Sequence, residues 1–583
     1  MRNRFDGLLV LAGFSVLGCA SDVAPTLKHD AGAVGPTDAG LLGGPLGDAG
    51  ALGPTGIAAL PASEAPSTLG LGIFASCQNG EPQAGPRLLR LLTRAEYANT
   101  VRDLLHINVP DVSSLPVESR VRGYDNNARS QAVSSRHVDA YLALADSLAT
   151  QAVREQRGSL LNCGSNDQGC PIRFATDFGK RAFRRPLNED EIARYAGFFS
   201  PELSGGDFDT GLASALSAML VSPHFLYRSE LGEPGNAGTY TLTPYEVASA
   251  LSYLYWGTMP DDALFAAARD GRLSTAQDRA REAARLLSDA RAEQQLFTFS
   301  SQWLRSDSFQ QANKDKSVFP ELTDSLRVAM LEEQRRFFAK VVLKDKASVR
   351  MLYDADFVLA NGELARFYGL GNPSQDYVPV PAGNSGRGGI LALGAVLAAH
   401  AHFNDTSPVK RGIFVRDRLL CQDLAPPPAN LVIMPPGLDP KLSTRQRFSR
   451  HSSDAACAGC HRLIDSVGFG FEGFDGIGKR RLVENGISVD ESGSLIGLEG
   501  TGTNTEDKFK GVRELSALIA DSESAGPCLA LHYFRYGRGY EERTSDACTL
   551  QALRQRFESQ NDSIYALLVG LSELDAFVTR RDP

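Results

Sequence analysis

The chain is short of basic charge, of tryptophan and methionine, and of long apolar runs. Its 60 Lys and Arg are outnumbered by 69 Asp and Glu, for a formal charge of -9. That balance leaves no electrostatic footprint for DNA or RNA, so a nucleic-acid partner is excluded. After the N-terminal leader, no stretch approaches the ~20 apolar residues that a bilayer span requires. The segment 389–401 comes closest and reads as a buried helix. Tryptophan occurs twice, at Trp256 and Trp303, and both read as core. All six methionines lie at or before Met434. Neither Gly-x-Ser-x-Gly nor His-Glu-x-x-His occurs, which leaves a conventional hydrolase without support.

What is present is Cys457-Ala-Gly-Cys460-His461. A chain with nine Cys and nine His meets this spacing by chance about twice in a thousand sequences. Cys-x-x-Cys-His predicts one covalent haem c, with thioethers at Cys457 and Cys460 and His461 as axial iron ligand. The competing reading, half of a zinc site, needs further ligands close by, and the nearest is His451. One motif means one haem, so a multi-haem wire inside the chain is excluded. A methionine ligand C-terminal to the motif is excluded too, because none follows Met434. The sixth-ligand candidates are His451, Met434, His400, His402 and His532, or no protein ligand at all. Two strong ligands favour outer-sphere electron transfer, whereas an open position permits peroxide or small-ligand chemistry. Arg462, Lys479, Arg480 and Arg481 are candidates for neutralising haem propionates, against the competing reading of a solvated basic face. Asp465 and Asp475 are candidates for hydrogen bonds within the same module. The glycines at 468, 470 and 473 imitate a dinucleotide fingerprint without a preceding strand. They read instead as close backbone approach to the porphyrin.

The N-terminus predicts export. Arg2 and Arg4 precede a short apolar segment, and Val16-Leu17-Gly18-Cys19 reads as a lipoprotein cleavage box. Cys19 would be lipidated, giving a membrane partner through a lipid anchor and an outer-membrane lipoprotein facing the periplasm or the cell surface. An ordinary cleaved secretion signal is the alternative. Six cysteines remain, an even number suited to an oxidising compartment. Sequence leaves fifteen connectivities open. Proximity suggests Cys163 with Cys170 and Cys528 with Cys548, leaving Cys77 with Cys421.

Residues 20–85 are rich in Gly, Ala and Pro and read as a disordered tether. Beyond them helix signals dominate. Thr93 with Glu96, Asn188 with Glu191, Thr243 with Glu246 and Ser274 with Gln277 have capping-box spacing. Apolar residues follow at helical intervals, as at Tyr97, Val101, Leu104 and Leu105. Asn485-Gly486 between alternating segments predicts a small β-hairpin, and Ser492-Gly493 a further turn. The fold class is mainly α: several helical modules, a small cytochrome c-like haem module and a short β-hairpin insertion.

Particular segments carry a family resemblance: RLLTRAEYANTVRDLL at 90–105, RAFRRPL at 181–187, SPHFLYR at 222–228, LTPYEVASALSYLYW at 242–256, TSPVKRG at 406–412, the stretch 451–475 and RYGR at 535–538. The chain resembles the planctomycete- and myxobacterium-type cytochrome-like proteins built of domains of unknown function 1587, 1595, 1592, 1588 and 1585. After the leader at 1–19 and the tether at 20–85, the resemblance implies modules at 86–155, 165–232, 238–370, 385–500 and 505–583, the fourth binding haem. Ile464-Asp465-Ser466 stands where many relatives have Met-Asp-Pro. The expected function is single-electron transfer with an unidentified redox partner. The alternatives are a peroxidase-like haem oxidoreductase and a cell-surface scaffold that grips a polymer.

Overall fold

The computed structural model describes residues 70–582 apart from 78–79, 162, 164–166, 372–373, 425–435, 452–454 and 499–505; at 450–451, 455–458 and 460 it describes the backbone alone. The expected leader, Cys19, Met434 and most of the expected tether lie outside the described residues. The end of that tether does not: the helical turn Gly72–Ala75 buries Ile73 and Phe74. Cys77 is bonded to Cys548, and Gly85–Pro86 pairs in parallel with Thr579–Arg581. Apolar anchors and a cross-link within a Gly/Pro-rich stretch thus hold the described residues 70–77 and 80–85 in the fold, a correction to the composition-based boundary.

Local chemistry sets the helices. Strand β1 (Leu88–Leu91) leads into α1 (Arg94–Leu105), where the Thr93 hydroxyl accepts from the Glu96 amide and the Glu96 carboxylate accepts from the Thr93 amide. Behind this reciprocal cap, Tyr97, Val101, Leu104 and Leu105 are buried together, as their spacing requires. Helices α2 (Ser135–Leu160), α3 (Cys170–Phe183), α4 (Glu189–Ala196, with the Asn188–Glu191 box intact) and α5 (Phe208–Leu220) close the first core around Tyr97, Phe178 and Leu216.

Strand β2 (Tyr227–Glu230) returns antiparallel to β1, with Leu88 opposite Glu230 and Leu91 opposite Tyr227. Buried charges lock that pair: Arg90 meets Glu230 at 3.2 Å, Arg228 meets Glu96 at 3.2 Å, and Arg580 closes on Glu230 from the C-terminal strand. Such pairs cost desolvation and contribute orientation more than net stability.

Helix α6 (Pro244–Trp256) starts with the expected Thr243–Glu246 box and Pro244 in the first turn. Helix α7 (Ala276–Leu287) starts one residue later than expected: Thr275 caps it by accepting from the Asp278 amide, so the Ser274–Gln277 spacing is not the cap. With α8 (Arg291–Trp303), these helices border the largest core, which contains Trp256 and Trp303. Each indole donates to a buried carbonyl, of Leu286 and Arg418 respectively, so both tryptophans are structural. Helix α9 (Asp324–Phe338) contributes Leu326 and Met330 to a third, smaller core. The apolar stretch 389–401 forms two short buried pieces, Ile390–Ala392 and Gly394–Ala399.

Farther along lie α10 (Pro408–Phe414), α11 (Thr444–His451) and α12 (Ala455–Gly468). Next comes the expected hairpin, β3 (Val483–Glu484) against β4 (Ile487–Ser488). Asn485 and Gly486 turn it with φ of 51° and 77°, the paired positive values that a two-residue turn demands. Ser492-Gly493 is not a turn: it opens β5 (Ser492–Ile496), which pairs antiparallel with β6 (Glu506–Lys510). The described fold is mainly helical with small hairpin sheets.

Helices α13 (Ala525–Arg538) and α14 (Ala547–Ser559) carry the remaining cysteines. Cys163 bonds Cys170, the local pairing. The other two pairings are corrected: Cys421 bonds Cys528, and Cys77 bonds Cys548. Cys528 begins α13 against the end of the α10 region, and Cys548 begins α14 against the Gly72–Ala75 turn, so sequence proximity misleads for both. No described helix is long and apolar enough to cross a membrane.

Candidate functional site

The motif segment is placed by an unusually close helix crossing. A Cβ on Gly412 of α10 would strike the Ile464 carbonyl of α12, and one on Gly468 of α12 would strike the Pro408 carbonyl. Two glycines therefore let α10 and α12 approach backbone to backbone. Gly470 and Gly473 are likewise crowded, by Phe509 and by Arg480 with Glu491. The crowding atoms at these glycines are protein atoms of this chain, which corrects the expectation that they make room for a porphyrin.

Cys457 and Cys460 sit in the first two turns of α12, and His451 ends α11; their side chains lie outside the described residues. The side chain of His461 is described. Its Nδ1 lies 3.0 Å from each carboxylate oxygen of Asp465, one helical turn ahead on the same face. Asp465 is buried at 4% exposure, so this contact is sheltered from water.

His461 and Asp465 line a cleft of about 640 Å³ between α11, α12 and the β5–β6 hairpin. The hairpin is fastened to α12 by the Ser466 hydroxyl, which donates to the Ser494 carbonyl at 2.8 Å. Arg416 donates from behind to the carbonyls of Leu463 (2.6 Å) and Ile496 (3.1 Å). Among the described residues, three cations line the cleft: Arg445, Arg462 and Lys508. Arg445 lies 4.3 Å over the Phe469 ring and donates to the carbonyls of Asp490 and Ser492. Of these three, the sequence singled out Arg462 alone. Lys508 alternates with Glu506 along β6, a period that makes sense only once the hairpin pairing is known. Arg445 carries no sequence signal beyond its charge.

The other basic candidates are engaged elsewhere. Lys479 pairs with Glu321 at 2.5 Å and Arg480 with Glu491 at 2.5 Å. Arg481 bridges Glu472 (2.6 Å) and Glu484 (3.2 Å). Glu472 is almost fully buried, and burial pushes its carboxyl up while Arg481 and Arg411 oppose the shift. Glu484 in turn accepts from the Thr444 amide at 2.8 Å, at the start of α11. This network underpins α11 and holds the loop after α12. Asp475 belongs to that loop, accepting from the amides of Ile477 and Lys479, and burial raises its carboxyl.

Among the described side chains, the other histidines proposed as iron ligands, His400, His402 and His532, do not line the cleft. His400 is buried, its Nε2 2.9 Å from the Leu304 carbonyl and its ring 4.3 Å from that of Phe414; burial pushes its pKa down to about 3. His402 is held through its backbone, which binds Asp405 and Lys314. His532 is fully buried, with Nδ1 3.0 Å from the Tyr124 hydroxyl. It stands beside Cys421 and Cys528, a constellation with metal-ligand spacing, but the two sulfurs are bonded to each other and offer no thiolate. A separate cleft of about 680 Å³ is lined by Arg185, His224, Tyr245 and Glu246. Its charges are already committed: Arg185 to Glu191 at 2.7 Å, and Glu246 to the Thr243 and Leu231 amides.

No curated protein and no solved structure matches the chain. Five family models do, in sequence order: protein of unknown function DUF1587 over 90–154, DUF1595 over 170–230, DUF1592 over 242–370, DUF1588 over 387–484 and DUF1585 over 505–577. The DUF1588 model, whose short name is PSCyt3, contains α10, α11, α12 and His461. The chain therefore belongs to the cytochrome-like family assembled from these five domains.

Proposed function

We propose that this protein is an exported, membrane-tethered c-type cytochrome-like protein that carries one covalent haem and transfers single electrons. The observation that carries the reading is the position of His461: it follows Cys457-x-x-Cys460 on one helix and opens onto a cleft of about 640 Å³. The donor set fits the group. An imidazole supplies the iron ligand, the two cysteines have thioether spacing, and Arg445, Arg462 and Lys508 are cations suited to two carboxylates. Haem, when bound, supplies a one-electron couple. The chain's own residues do the rest: Asp465 holds the His461 ring, the Ser466–Ser494 bond keeps the hairpin wall in place, and the arginine–carboxylate network fixes α11.

The volume of the cleft favours a second reading, a haem oxidoreductase that admits a small substrate or peroxide. One experiment addresses both. The chain is expressed with its leader and a cytochrome c maturation system, and spectra are recorded in both oxidation states before and after acid-acetone extraction. A Soret band that resists extraction supports covalent haem, low spin favours the carrier, and high spin favours the oxidoreductase. A colourless, folded chain overturns both and leaves the scaffold reading.

A further inference from the structure

We infer that Asp465 is the positioning residue of His461: it fixes the ring hydrogen on Nδ1, presents Nε2 to the iron and holds the haem couple toward the ferric state. This rests on the haem reading above.

The geometry is specific. Asp465 follows His461 by four residues on α12, so the helix itself stacks the two side chains. Nδ1 is 3.0 Å from both carboxylate oxygens, the carboxylate is 6% exposed and the ring 18% exposed. A ring whose Nδ1–H donates to a carboxylate carries its lone pair on Nε2, the tautomer a metal requires. The acceptor is an ionisable carboxylate rather than a backbone carbonyl, so the hydrogen bond is charge-assisted and the ligand more basic. A more basic, more anionic ligand stabilises Fe(III) over Fe(II). Of the arginines around α12, Arg447 is paired with Asp405 at 2.6 Å, whereas Arg416 and Arg445 donate to backbone carbonyls and keep their charge.

The test compares the holoprotein with Asp465→Asn and Asp465→Glu. Asparagine keeps the size but removes the charge. We expect Asp465→Asn to retain covalent haem and thermal stability while the ferrous state gains at least tenfold, a rise of 59 mV or more for a one-electron couple. Asp465→Glu should recover at least half of the shift. In haem-free chain labelled with 15N-histidine, the His461 signal, assigned by its loss in His461→Gln, should show hydrogen on Nδ1, and Asp465→Ala should move it to Nε2. Haem present in both proteins at equal potential overturns the inference alone, as does a wild-type ring protonated on Nε2. Absence of haem from the wild-type chain overturns the haem reading and this inference with it.

Discussion

Two histidines divide the molecule into two environments. His461 and His532 both engage a partner through Nδ1, at 3.0 Å in each case. His461 meets a carboxylate at the edge of a cleft. His532 meets a phenol in a sealed interior, with Trp303 and Tyr124 around it and a disulfide alongside. Burial and the flanking Arg418 push the His532 imidazole well below its ordinary pKa, and Tyr124 is raised to about 12 by burial, so that pair stays neutral across the physiological range. The same ring thus stands beside a charged partner and open volume in one place, where we propose it ligates iron, and is a packing element in the other.

The largest expected effect separates these roles. His461→Ala should abolish the visible spectrum of an iron-ligated haem while the thermal midpoint stays close to wild type. An unchanged spectrum and potential would erase the distinction. His532→Ala should do the reverse. It leaves a cavity and an unpaired Tyr124 hydroxyl, a cost on the order of 3–4 kcal/mol in chemical denaturation, with the spectrum intact. Opening the neighbouring Cys421–Cys528 bond with Cys421→Ala and Cys528→Ala should cost about 2–4 kcal/mol.

The interior can also be distinguished by titration. Glu333 is fully buried against Tyr368, whose hydroxyl donates to it at 2.6 Å, and burial raises its carboxyl from 4.5 to about 7. The folded protein therefore keeps a proton that the unfolded chain releases first. This contribution is complete below about pH 4.5 and is lost as pH passes 7. Glu333→Gln, which imitates the protonated form, should flatten that slope and stabilise the protein at pH 8 by on the order of 3 kcal/mol. Equal pH dependence in both proteins would show that Glu333 does not carry it. The smallest effect is at the cleft: Gly412→Ala pushes α10 from α12, with an expected cost of about 1–3 kcal/mol and lower haem retention.

Sequence patterning revealed the interior better than the cleft. The caps at Thr93, Asn188 and Thr243 were legible because a capping box is a contact within four residues. The cap at 274 was misplaced because Thr275 and Asp278 compete with Ser274 and Gln277 one residue away. His461 was legible from its motif, and Asp465 only as a candidate for hydrogen bonds within the same module. Arg445 and Lys508 were not, because they reach the cleft from other elements, α11 and β6, the latter through its pairing with β5. The same limit hid the disulfides of Cys77 and Cys421, whose partners lie 471 and 107 residues away.

The bond from Cys77 to Cys548 makes most of the folded chain a closed covalent ring. The ring cannot be sealed until residue 548 has joined residue 77 in an oxidising compartment. Once sealed, a single protease cut between these residues leaves both fragments tethered. On a non-reducing gel such a nicked molecule keeps its full mass, and only a reductant discloses the damage.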